Sequence, residues 1–185
     1  MSSKNIFFKK TFYTLVLVTI FFKSYSDPKT VTDDTDFNRF FVTASGGWGH
    51  LSSSPHNTGV FTTTAGYFFN KNITGEFRYL GYFASKQDTE LNGNSYLGLV
   101  KYNYELFSGV RAGAGVGLGI GSSFQKNKLL GLSSSKASGL FAVPVSLSVP
   151  TGFIDNMDFL ITYLYVKSFD KGEANFITTG LSYSF

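Results

Sequence analysis

The chain has 185 residues, 18% of them aromatic and only 15% charged, with 21 Phe, 11 Tyr, 20 Gly and no Cys. A surface built for water usually draws on about 25% charged residues, so this composition excludes an ordinary soluble domain. The missing cysteines exclude a disulfide framework, thiolate metal sites and a lipid-modified N-terminal Cys.

The formal net charge of +4 is a property of the N-terminus alone. Lys4, Lys9, Lys10 and Lys23 precede position 26, where no Asp or Glu occurs. Sixteen basic residues less these four leaves twelve, which the twelve acidic residues cancel. The basic pI is thus no argument for nucleic-acid binding, and the Phe-rich segments are not read as base-stacking platforms.

Residues 1–26 have the pattern of a secretory signal peptide. Lysines open it, and Thr11 to Phe22 forms an apolar run of 12 residues. As a helix that run spans about 18 Å, short of the roughly 30 Å hydrocarbon core. Ser24 and Ser26 put small residues before a cut at Asp27. Residues 27–38, with Pro28, Asp33, Asp34 and Asp36, are expected to be a flexible periplasmic leader.

From 39 to 185 the residues alternate between apolar and polar, the period of a β-strand. Eight segments are predicted, near 39–52, 58–70, 73–86, 95–107, 110–125, 138–150, 157–168 and 174–185. Short connections (70–72, 107–109, 151–156) alternate with ones expected to be longer (51–57, 87–94, 126–137, 169–173). Short turns on one side and long loops on the other are the habit of transmembrane barrels. An even strand count puts both ends of the barrel on the periplasmic side.

The fifth segment is the most regular. Val110, Ala112, Ala114, Val116, Leu118 and Ile120 share one face, and Arg111 followed by five glycines makes the other. So many glycines make a poor helix. On a strand they leave room inside a narrow lumen and permit curvature.

Parity then tells outside from inside. Ile73, Phe77, Tyr79 and Phe83 oppose Glu76 and Arg78; Tyr96, Val100, Tyr102, Tyr104 and Leu106 oppose Lys101, Asn103 and Glu105. Phe141, Val143, Val145, Leu147 and Val149 oppose Ala142, Pro144, Ser146 and Ser148. Phe159, Ile161, Tyr163 and Tyr165 oppose Asp158 and Thr162. Reversing these faces would put Arg78, Lys101 and Arg111 into lipid, at up to roughly 2–4 kcal/mol each. The apolar face therefore points outward. The first two segments are less tidy. Tyr67, Phe69, Phe77, Tyr104, Tyr183 and Phe185 are expected to form the inner aromatic girdle.

The signal peptide, the unit A-G-Y-F-F-N-K-N-I-T-G-E-F-R-Y at 65–79, the stretch G-A-G-V-G at 113–117 and the terminal L-S-Y-S-F together resemble a known family. It comprises the small outer-membrane barrels of Gram-negative bacteria, such as outer membrane protein A, outer membrane protein X and the opacity-type adhesins. The resemblance implies an all-β, closed antiparallel transmembrane barrel of about eight strands in the outer membrane. It implies lipid and lipopolysaccharide as surroundings, and periplasmic chaperones and the barrel-insertion machinery as transient partners. In that family the terminal aromatic belongs to the insertion signal, here Leu181, Tyr183 and Phe185.

The candidate lumenal network is Glu76, Arg78, Lys101, Glu105 and Arg111, read as ion pairs that plug the interior or, alternatively, as the gate of a narrow pore. His50 and Ser52 form an H-x-S pair of the kind an outer-membrane lipid A deacylase uses with a carboxylate. Here the pair lies in the first strand, Ser53 follows, and no acidic residue is near in sequence. Asp88, Glu90, Asp170 or Glu173 would have to supply the carboxylate from other loops. His56 is the remaining histidine, and two His without Cys suggest no metal centre. No cofactor motif is present, since no Gly-rich phosphate loop has the required spacing. The expected role is non-catalytic: envelope support, or presentation of the outer loops to a surface ligand.

Overall fold

The computed structural model describes residues 40–52, 54–86, 89–127, 132–170 and 172–185. The signal peptide and leader expected at 1–38 lie outside the described residues. The strands are β1 (Phe40–Leu51), β2 (Ser54–Phe68), β3 (Ile73–Lys86), β4 (Thr89–Phe107), β5 (Val110–Asn127), β6 (Leu132–Pro150), β7 (Met157–Ser168) and β8 (Glu173–Ser184). Each pairs antiparallel with the next, and β8 returns to β1 to close the barrel. The closing seam runs from Phe41 opposite Ser184 to Leu51 opposite Ala174. Closure leaves no strand edge, which is the condition for a sheet to sit in hydrocarbon.

The inner end carries tight turns with local causes. Asn70 Oδ1 accepts from the N–H groups of Asn72 and Ile73, both at 2.8 Å, an Asx turn that reverses the chain. Ser108 and Gly109 both have positive φ, 44° and 78°, as a two-residue hairpin turn requires.

At the outer end the strands run further than the sequence pattern suggests. The segments 54–57, 89–94, 126–127 and 132–137, expected as loops, continue the ladder instead. β4, β5 and β6 reach 19, 18 and 19 residues, while about 9–11 suffice to cross a bilayer. Outside the lipid a strand has no need of an oily face, so its Ser, Asn and Gly residues show no alternation. Backbone pairing holds it nonetheless. By these bounds the longest connection is 151–156, at the inner end.

The apolar face is the exterior. Val116, Leu118 and Ile120 stand exposed on β5, with Val100 and Tyr102 beside them on β4. β1 and β2 follow the same rule, with Val42, Trp48 and Phe61 exposed and Thr43, Thr62 and Thr64 buried. Phe40, Phe69, Tyr104, Phe107 and Phe185 are exposed aromatics near the inner end, with edge contacts Phe40–Tyr67 and Tyr183–Phe185 at 4.9 and 5.0 Å. Phe77 stands four residues beyond the start of β3 and stacks on Tyr96 at 6.2 Å. Parity specifies a side chain's face but not its height. Leu118→Arg should cost about 2–4 kcal/mol as a charge on the lipid face, read as a lowered urea midpoint of vesicle-inserted protein.

The glycine face of β5 is occupied in a way that periodicity does not reveal. A side chain at Gly115, Gly117 or Gly119 would collide with Lys101, Leu99 or Leu97 and with the β4 backbone. The glycines accommodate the adjacent strand, not side chains from across the lumen.

Candidate functional site

The lumen has two storeys. In the outer half Leu51, Val60, Leu80, Leu97, Leu99 and Phe176 belong to a continuous apolar cluster. Leu97 is 0% exposed and Phe176 1%. The sequence pattern predicts ion pairs as the plug of the lumen and does not anticipate this apolar layer. The apolar residues sit on the nominally polar faces of β2, β3, β4 and β8, where in a short stretch they look like breaks in the alternation.

Below this plug lies a cluster of charges. Glu76 and Arg78, two apart on β3, point the same way. Arg78 donates to Glu76 Oε2 at 2.9 Å and through Nε to Thr64 Oγ1 at 3.2 Å. Lys101 lies opposite Thr74 on β4, diagonal to Glu76, and its Nζ donates to Glu76 Oε1 at 2.9 Å. Both oxygens of one carboxylate are therefore engaged by two cations. All three side chains are at most 6% exposed.

Arg111 forms a second unit. It donates to Asp158 Oδ2 at 2.8 Å, and the Ser148 hydroxyl donates to the same oxygen at 2.6 Å. The guanidinium lies 5.5 Å from the centre of the Phe68 ring, a cation–π contact. Asp158 faces inward by the parity of β7, but 47 residues separate it from Arg111. Only the order of strands around the barrel brings them together. A cavity of about 40 Å³ separates the two units, lined by Thr74, Lys101, Asn103, Ser146, Ser148 and Ser182 among others.

Glu105 does not belong to this network. It is exposed, and its Oε1 accepts from the N–H of Gly109 at 3.1 Å. The pairing of β4 with β5 shifts between Glu105 and Phe107. Glu105 still pairs in register with Arg111, but as the last regular rung before the turn it sends its carboxylate to the Gly109 N–H and solvent.

The H-x-S pair is not assembled as a nucleophile and base. His50 is exposed and shares the outward register of β1 with Trp48. Ser52 lies past the strand end, where its hydroxyl accepts from the N–H of Glu173 at 2.8 Å. The Ser52 N–H donates back to the Glu173 carbonyl at the same distance. Ser52 thus ties the outer ends of β1 and β8. The side chains of His56 and Asp88 lie outside the described residues. Among the described residues no group of three or more His, Cys, Asp or Glu side chains could hold a metal ion. Leu181, Tyr183 and Phe185 lie on the outward face, and the Phe185 N–H donates to the Phe40 carbonyl at 2.8 Å.

A closed antiparallel barrel of eight strands, oily outside and filled within, is the architecture of the small outer-membrane β-barrels. Solved structures with this fold include Neisserial surface protein A, at 19% identity and a TM-score of 0.65, covering 79% of this chain and 97% of that one. The N-terminal β-barrel domain of OprF from Pseudomonas aeruginosa matches at 16% identity and a TM-score of 0.62, covering 80% and 98%. Ail, the attachment invasion locus protein of Yersinia pestis, matches at 15% identity and a TM-score of 0.60, covering 80% and 100%. No family model matches the sequence, and no curated protein does.

Proposed function

We propose that this chain is an integral protein of a bacterial outer membrane with a structural or surface-interaction role, neither conducting nor catalytic. The observation that carries the reading is the filled lumen. An ion or solute entering from outside must pass Leu80, Leu97, Leu99, Leu140, Leu164 and Phe176 before it reaches Glu76, Arg78 or Lys101. An eight-stranded barrel is narrow enough for such side chains to close it. The placement of His50 and Ser52 supports the non-catalytic side of the reading. What remains for function is the outer rim, which carries exposed charges such as Lys136, Lys167, Asp170 and Glu173. Two of the similar structures bear surface-related names, Neisserial surface protein A and the attachment invasion locus protein.

The same reading makes Leu181, Tyr183 and Phe185 the signal for the insertion machinery, with lipopolysaccharide as the outer-leaflet neighbour. Purified barrel in planar bilayers should show no unitary conductance steps. Replacing the connections at 87–88 and 128–131 with Gly-Ser should alter adhesion of expressing cells and leave the boiling-dependent gel shift intact. Reproducible conductance steps from wild-type protein would overturn the proposal.

A further inference from the structure

The charges beneath the plug do not balance. Glu76 and Asp158 are the carboxylates; Arg78, Lys101 and Arg111 are the cations paired with them. Three positive groups face two negative ones. In a lumen walled by sheet and capped by leucine, an uncompensated charge is costly. The cavity between the two units is where compensation fits. Its volume of about 40 Å³ has room for one small ion with a water or two beside it, since a single water needs roughly 10–15 Å³ of such space.

The lining has the chemistry for an anion. Glu76 takes one N–H of Lys101, and an ammonium carries three. Thr43, Ser146 and Ser182 also line the space, with the Thr43 hydroxyl donating to Ser182 Oγ at 3.0 Å, and Arg111 borders it. Both carboxylates that line it are already engaged by cations. Gly113 lies under three of the lining side chains. A Cβ there would stand 2.5 Å from Asn103 Oδ1, 3.0 Å from Ser146 Oγ and 3.3 Å from Lys101 Cε. These three side chains, from β4 and β6, already occupy the space above the glycine, so a larger residue there would displace them.

We infer that the cavity between Lys101, Ser146 and Arg111 is a binding site for a single small monovalent anion of halide size. The ion completes the charge balance of the inner lumen. It is a structural ligand of the folded barrel, held beneath a closed plug.

Bromide is the probe. Crystals of the refolded barrel soaked in sodium bromide should show an anomalous peak in this cavity, in contact with Lys101 Nζ and Ser146 Oγ. In vesicles, replacing chloride by gluconate at constant ionic strength should lower the urea midpoint of the wild type. Ser146→Asp places a fixed carboxylate in the same space. It should remove both the bromide peak and the dependence on chloride. Lys101→Met, which restores the balance by deleting a cation, should remove the peak as well. Wild-type crystals without bromide in the cavity would overturn the inference. So would a wild-type midpoint indifferent to the anion, or sulfate substituting fully for chloride, which would place the effect on an open surface.

Discussion

Glu76→Ala should lower the stability of the barrel by about 3–5 kcal/mol, the usual consequence of removing one partner from a buried ion pair. The reason is specific to this site. Glu76 is the shared acceptor of Arg78 and Lys101, both almost fully buried. Without it Arg78 and Lys101 lose the carboxylate they share and face each other as like charges. Glu76→Gln preserves shape and one acceptor oxygen, so it isolates the loss of charge. The check is the urea midpoint of vesicle-inserted protein, together with the folded fraction seen as a boiling-sensitive gel shift.

The decisive comparison is the double variant Glu76→Gln with Lys101→Met. It removes one carboxylate and one cation and leaves the net charge of the cluster as it was. Groups in one network couple by roughly 0.5–3 kcal/mol. The double variant should therefore be more stable than the sum of the single losses allows. Strict additivity, or a Glu76→Ala midpoint equal to the wild type, would show that water reaches and screens this cluster.

The second large effect is expected on β5. Gly119→Val should prevent correct closure in most molecules. A Cβ at this position would fall inside contact distance of the Tyr96 carbonyl oxygen and within 3.0 Å of Leu97 Cα. A flexible side chain can move aside, but the backbone of a paired strand cannot without breaking the ladder. The cost should meet or exceed the roughly 1–3 kcal/mol of ordinary overpacking. Gly98→Ala is the matched control, because its Cβ would come no nearer than 3.9 Å to the Leu118 carbonyl oxygen. Refolding yield should collapse for Gly119→Val and stay near wild type for Gly98→Ala. Equal yields would mean that the close approach of β4 to β5 is not needed for closure.

Both expectations depend on which neighbour a residue has, and there the legibility of the sequence ends. A period of 2 needs only consecutive residues, so the β-strands and the outward face of β3 to β8 can be read directly. The sign of each face follows too, because Arg78, Lys101 and Arg111 cannot face lipid cheaply. The inner turns at 69–72 and 108–109 are legible because Asn, Ser and Gly act locally. Glu105 shows how narrow that reach is, since its place on the last rung before a turn lets its carboxylate bond the Gly109 N–H instead of the lumenal cations.

Register and closure were decided only in three dimensions. Hydrogen bonding between strands relates residues far apart in the chain, and no local pattern encodes their alignment. That is why Arg111 finds Asp158, why Glu76 holds two cations, and why leucines from several strands meet in a plug. The sequence by itself determined a sheet with an oily side and a lumenal side. The tertiary structure decided that its interior is shut, because only ring closure brings opposite walls within contact of each other.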